Sequence, residues 1–188
     1  MTQYIAFLRA INVGGHVVKM DYLRSLFELL GFTNVETFIA SGNVLFETKS
    51  NDAIALEKKI ESGLKEAIGY DVATFLRANA DLKAAAVYKP FPQSQLDAAT
   101  AFNIAFLKES PDAAARKKVL ALKTAIDAFH IHGRELYWLC QKKQSESTFS
   151  NAVLEKALGK PSTLRGMETI RKIAAKFWPL ESFRGECA

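Results

Sequence analysis

The chain of 188 residues is short of cysteine, histidine and long apolar runs, and each shortage excludes something. Its two cysteines, Cys140 inside an apolar run and Cys187 beside the last residue, cannot build a framework of bridges, which suits a reducing compartment. Apolar stretches are broken by Arg9, Lys83 or Lys108 well before the roughly 18 residues that a membrane-spanning helix needs. Met1 to Ala10 has the pattern of a strand, with no basic leader and no small-residue cleavage site, so no secretory signal is expected and the expected location is cytoplasmic. The histidines are His16, His130 and His132. His130 and His132 fall on one face of a strand, but no third donor is evident and no Cys-x-x-Cys or His-Glu-x-x-His spacing occurs. No metal and no cofactor are therefore expected. A Gly-x-Ser-x-Gly elbow is also missing, Cys140 has apolar neighbours that keep a thiol inert, and Glu57 and Glu61 are expected on the solvated outer face of a helix.

What is present is a folding composition, 49% hydrophobic and 24% charged, which rules out disorder and low-complexity architectures. An apolar strand at 4–11 leads through a Gly-Gly loop to a helix in which Leu23, Leu26, Phe27 and Leu30 share one face before Gly31. Two strands, 35–39 and 44–47, join tightly through Ser41, Gly42 and Asn43. Ser50, Asn51 and Asp52 start a second helix with a stripe of Leu56, Ile60, Leu64 and Ile68, ended by Gly69, and a strand follows at 71–76. This β-α-β-β-α-β order is that of a ferredoxin-like unit. Asn79 is expected to cap a short helix to Val87, and Pro90-Phe91-Pro92 marks a linker.

The second half repeats the order: a strand at 101–107, a helix opened by Ser110-Pro111-Asp112, a hairpin of 128–132 and 136–140 around Gly133-Arg134, and a helix at 149–158. A last helix at 166–177 stands where a final strand would be expected. The fold class is thus α+β, two ferredoxin-like halves of βαββα type with antiparallel sheets and an extra C-terminal helix. The boundaries are 1–89 for the first half, 90–100 for the linker and 101–188 for the second half.

Charge is divided unevenly, with 10 Lys+Arg against 11 Asp+Glu in residues 1–99 and 15 against 9 in 100–188. A basic half attracts phosphates, and Arg116-Lys117-Lys118, Lys142, Lys143, Arg171, Lys172 and Lys176 are the candidates for contact with nucleic acid. Phe7 and Phe46 are candidates for base stacking of the kind seen on ferredoxin-like RNA-binding sheets, against burial of both rings where the halves meet. The loop Asn12-Val13-Gly14-Gly15-His16 can turn N–H groups toward an anion, although it has neither a Walker ending nor a G-x-G-x-x-G order. The plainer role for its glycines is a turn.

Residues 4–15, Lys19-Met20, Leu23-Arg24, 30–35 and Ser41 to Val44 resemble the domain of unknown function 1697 family. Lys89-Pro90-Phe91 and Thr163-Leu164-Arg165 with Thr169 resemble its later elements. Ala40 stands where that family usually has Gln, and Gly166-Met167 where it has an Asn-Trp pair. The resemblance implies two related βαββα-type halves and no assigned activity. It directs attention to Arg9, Asn12, Gly14, Gly15, Lys19, Ser41, Asn43 and Arg165 as an anion-binding cleft at one edge of the first sheet. Arg9, set in an apolar strand, is expected to meet a carboxylate, a carbonyl or a bound anion. The expected function is binding of a phosphate-bearing partner, nucleic acid first or a phosphorylated ligand; the alternatives are a metal-independent enzyme on a phosphorylated or acidic small molecule, using Arg9, Asn12, Lys19 and Ser41, and a protein-interaction module.

Overall fold

The computed structural model describes residues 1–9, 11–12, 17–39 and 42–177. The chain forms β1 (Thr2–Leu8), α1 (Met20–Leu29), β2 (Thr33–Thr37), β3 (Asn43–Thr48), α2 (Ala53–Ile68), β4 (Thr74–Ala78) and α3 (Asn79–Val87). After α4 (Gln93–Asp97) it runs through β5 (Ala101–Leu107), α5 (Ala113–Leu120), β6 (Asp127–His132), β7 (Glu135–Cys140), α6 (Asn151–Leu158), β8 (Ser162–Gly166) and α7 (Met167–Phe177). Each half is a four-stranded antiparallel sheet, ordered β2-β3-β1-β4 and β6-β7-β5-β8. The repeat is complete, since β8 supplies the fourth strand of the second sheet and pairs with β5 from Asn103↔Gly166 to Leu107↔Ser162. The pattern hid this strand because it is five residues long, follows Pro161 and carries Arg165.

Local chemistry explains most boundaries. The Asp52 carboxylate accepts the Ala55 N–H to start α2, Asp112 does the same for Ala115 at α5, and Ser150 accepts from Val153 at α6. Asn79 is not a cap: Ala78 holds that position, and the Asn79 amide donates to Gln3 Oε1 at 3.1 Å. β1 ends at Leu8, so Arg9 lies just beyond the strand.

Alternation along the strands sorts side chains to two faces. In the first half Tyr4, Ala6, Leu8, Val44, Phe46 and Leu76 pack under α1 and α2. In the second, Ala105, Leu136, Trp138 and Cys140 pack with Val119 of α5 and Leu154 of α6. The remaining faces meet each other: Ile5, Phe7, Leu45 and Phe75 share one buried cluster with Ile104, Phe106 and Tyr137, and with residues of α3 and α7. The architecture is therefore helices, sheet, sheet, helices, and α3 also contacts α7. Phe7 and Phe106 stack at the centre, ring centroids 4.0 Å apart and planes 6° from parallel. Phe46 faces the other way, against Tyr4, Phe27 and Phe32. Phe7 and Phe46 thus cannot form one stacking surface, and only Phe7 lies between the halves.

Because one core serves both sheets, the halves unfold together. Phe106→Ala is expected to cost about 3–5 kcal/mol and to leave a single transition in urea, with fluorescence and circular dichroism coincident. Two separate transitions in the parent protein would contradict a shared core.

Candidate functional site

Two arginines cross between the halves. Arg77 on β4 donates from Nε to Glu135 Oε1 at 2.6 Å and from Nη2 to the carbonyls of Leu107 and Arg134 at 2.9 and 3.0 Å. Arg165 on β8 reciprocates, donating from Nε to Asn43 Oδ1 at 2.8 Å and from Nη2 to the Leu8 carbonyl at 2.9 Å. Each guanidinium also lies near the ring of the opposite half, Arg77 at 5.1 Å from Phe106 and Arg165 at 5.7 Å from Phe7. Strand register makes the two sets equivalent: Phe7 pairs with Asn43 as Phe106 pairs with Glu135, and Ile5 pairs with Arg77 as Ile104 pairs with Arg165.

A second reciprocal pair lies at the strand ends. Arg9 holds the Glu155 carboxylate with both Nε and Nη2 at 2.7 Å, while Glu155 Oε1 also accepts the Ser162 N–H at 2.8 Å. In the other direction Lys108 reaches Glu61 at 2.5 Å, and Glu61 accepts the Thr74 N–H at 2.8 Å. Glu57 beside it is 5% exposed and accepts the Leu76 N–H at 2.8 Å. Glu57 and Glu61 are therefore structural carboxylates facing the second half, not a solvated helix face. Burial raises the Glu57 pKa above its ordinary value, against the N–H of Leu76 and the charge of Lys108.

The expected site residues divide accordingly. Asn43 and Arg165 bond each other, and Arg9 follows Leu8, whose carbonyl Arg165 also holds. Asn12 caps the return of its loop by accepting the Val18 N–H at 2.6 Å. Lys19 is exposed at the N-cap of α1 and lines a groove of 450 Å³ with Tyr22 and Tyr70. Gly14, Gly15 and Ser41, with His16 and Ala40, lie outside the described residues, as does Cys187. Among the nucleic-acid candidates, Lys142 is 4.0 Å from Glu146 and Lys172 is 2.7 Å from Glu168, each pair exposed on its own element. Lys143 caps the 3₁₀ turn Gln144–Glu146, and Arg171 on α7 lies 5.7 Å from the Phe102 ring. Burial raises the Cys140 thiol pKa and keeps it protonated. Among the described residues no group of three His, Cys, Asp or Glu could hold a metal.

Positive φ also occurs in the segments that follow β1 and β2. Asn12 has φ 57°, Ile39 φ 50° and Gly42 φ 70°. A β-branched residue there is unusual, and Ile39 is also 54% exposed, so no burial of its side chain compensates. Gly42 has a stricter reason: a Cβ would sit 3.1 Å from Ile11 Cβ and Leu8 Cβ and 3.2 Å from the Leu8 carbonyl that Arg165 uses. Reading the sequence singled out Arg165 but missed Arg77 and the reciprocity of the two. The available signal was Arg77 inside the run Thr74–Ala78, whose pattern is otherwise that of a buried strand.

A family model described as protein of unknown function (DUF1697) matches residues 1–137. The chain belongs to this family. The comparison with curated proteins finds none that matches. Among solved structures, this DUF1697 member is similar to the conserved bacterial protein SP0830 from Streptococcus pneumoniae, at 24% identity over 93% of this chain and 97% of that one, with a TM-score of 0.74. That likeness is one of fold. No helix among the described residues of the DUF1697 chain is long and apolar enough to cross a membrane.

Gly42→Ala should destabilise the protein more than Gly69→Ala. Both positions have positive φ, at 70° and 82°, but nothing lies within 4 Å of a Cβ at Gly69. A loss of about 2 kcal/mol at Gly42 against about 1 at Gly69 is expected from denaturant titration, and equal losses would mean that close approach to β1 has no weight. For Glu57 the folded pKa is raised, so its contribution is present below the unfolded value and lost as pH rises through the folded one. Melting across that range should show the parent losing stability relative to Glu57→Gln as pH rises, and parallel curves would refute the burial effect.

Proposed function

We propose that this protein is a cytoplasmic binding protein for a small phosphate-bearing molecule, seated where the end of β1, the β2–β3 turn and Arg165 converge. The observation that carries the reading is a difference between equivalent pairs. Arg77 meets the carboxylate of Glu135, a neutral pair, whereas the described hydrogen bonds of Arg165 go to the neutral oxygens of Asn43, Thr163, Leu164 and Leu8, so the Arg165–Asn43 pair carries a formal positive charge. Burial lowers the Arg165 pKa to about 10, which still leaves it charged at neutral pH. A buried cation is costly, and a bound anion offsets that cost. Ile39, a β-branched residue at φ 50° between β2 and β3, adds support, since strain persists where geometry serves a site.

The charge in this reading comes from Arg165 and not from Arg9, whose guanidinium is held by Glu155. A small ligand is favoured over a polyanion here because Phe7 is enclosed between the halves and Phe46 faces the opposite way. Cys140, a free buried thiol, suits a reducing compartment.

The test is thermal melting in inorganic phosphate against chloride at equal ionic strength. The parent should gain stability with phosphate, by about 2.7 kcal/mol when phosphate reaches a hundred times its Kd. Asn43→Asp, which restores the neutral pair of the other half, should abolish that gain while still melting cooperatively, and Arg165→Gln should abolish it too. No gain in the parent, or a full gain in a folded Asn43→Asp protein, would overturn the proposal.

A further inference from the structure

The two halves repeat strand for strand, so each shows what the architecture demands of the other. On the faces that meet in the centre, register aligns Gln3, Glu36, Leu45 and Glu47 of the first sheet with Phe102, His130, Tyr137 and Leu139 of the second. The first half builds the same sheet with polar groups here, Gln3 donating to Glu47 at 2.9 Å. Rings at Phe102 and His130 are therefore not required by the fold, whereas His132 corresponds to Phe38, a ring packed on Phe177.

Those rings form one cluster with the start of the linker. Tyr88 lies 5.2 Å from Tyr137 and 4.5 Å from His132, nearly parallel to the latter at 27°. Its hydroxyl is 2.9 Å from His130 Nε2. Phe91 meets Phe102 and His130 edge-on at 6.2 and 6.4 Å. Tyr137 is buried, but Tyr88, Phe91, Phe102 and His130 are half-buried and His132 is exposed. Beside them a groove of 290 Å³ runs along α3, with Tyr88, Tyr137, His132 and Arg134 in its wall.

Cations ring the cluster. The Arg171 guanidinium stands 5.7 Å from the centre of Phe102. Arg116 donates to the Ile131 carbonyl between the two histidines, at 3.1 Å, and Arg134 borders the groove with Asp81 at 3.9 Å. Accessible rings interleaved with arginines are the means by which proteins hold single-stranded nucleic acid, bases on the rings and phosphates on the cations.

We propose that this surface, formed by the second half and Tyr88 at the end of α3, stacks the bases of single-stranded RNA on Phe102, Tyr88 and His132, with Arg171 and Arg134 taking phosphates. It is separate from the junction at Arg165 and does not depend on a ligand there. A free nucleotide offers the same base and phosphate, and a strand differs by engaging several rings at once.

Fluorescence anisotropy of a labelled short RNA strand, titrated with the full chain over a salt series, tests the proposal, with AMP as competitor. Affinity should fall linearly with log salt, and Arg171→Ala should reduce the slope by about 0.7. Phe102→Leu, which keeps an apolar side chain, and His132→Ala, an exposed change that leaves the core intact, should each weaken binding roughly tenfold at an unchanged slope. AMP should compete only at far higher concentration. Negligible binding at low salt, full affinity in both ring variants, or AMP competing as well as the strand would each overturn it.

Discussion

Phe7 stacked on Phe106 is the contact on which the rest of the molecule depends. Two ferredoxin-like sheets each leave one face without helices, and here those faces close on each other. The closure brings a difficulty with it, because each sheet carries an arginine in its fourth strand, pointing into the shared core. The solution is reciprocal. Each arginine spans the interface, lays its guanidinium beside the other half's phenylalanine and donates to the carbonyl that ends the other half's first strand. Each arginine is buried by the other half and takes its acceptors from it, so the halves are joined by polar contacts as well as by apolar area.

Against that near-symmetry the departures gain meaning. Glu135 and Asn43 occupy equivalent places and differ by one charge, at the end of the molecule where Asn12, Ile39 and Gly42 hold positive φ. The rings of Phe102 and His130 occupy places that the first half fills with Gln3 and Glu36. Neither difference improves packing in an evident way, and each adds a chemical capacity: a net charge in one case, accessible aromatic faces in the other. The uneven distribution of Lys and Arg between the halves agrees with the second.

Much of this fold was legible in the sequence because its elements obey simple periods. Leu56, Ile60 and Leu64 recur at helical spacing and are buried under the first sheet. Gly31 and Gly69 stop helices where expected, both with positive φ. What could not be read was anything that depends on the partner half. Glu57 and Glu61 lie on the polar side of an amphipathic helix, and only the approach of Lys108 from the second half turns that side into an interior. β8 was hidden because Arg165 within five residues suggests solvent, whereas its true surroundings are carbonyls and an amide. Arg9 announced itself as a charge in an apolar run and did find a carboxylate; Arg77 sat in a similar run, Thr74–Ala78, and its partners come from the other half.

The most direct measurement is a phosphate titration followed by NMR at the arginine side chains, with Nε–H resonances assigned for Arg77 and Arg165. Glu135 already neutralises Arg77, so its resonance should stay in place while that of Arg165 moves and saturates. Equal movement of both, or movement of neither, would contradict the idea that the Asn43 and Glu135 difference makes Arg165 the arginine whose charge a bound anion offsets.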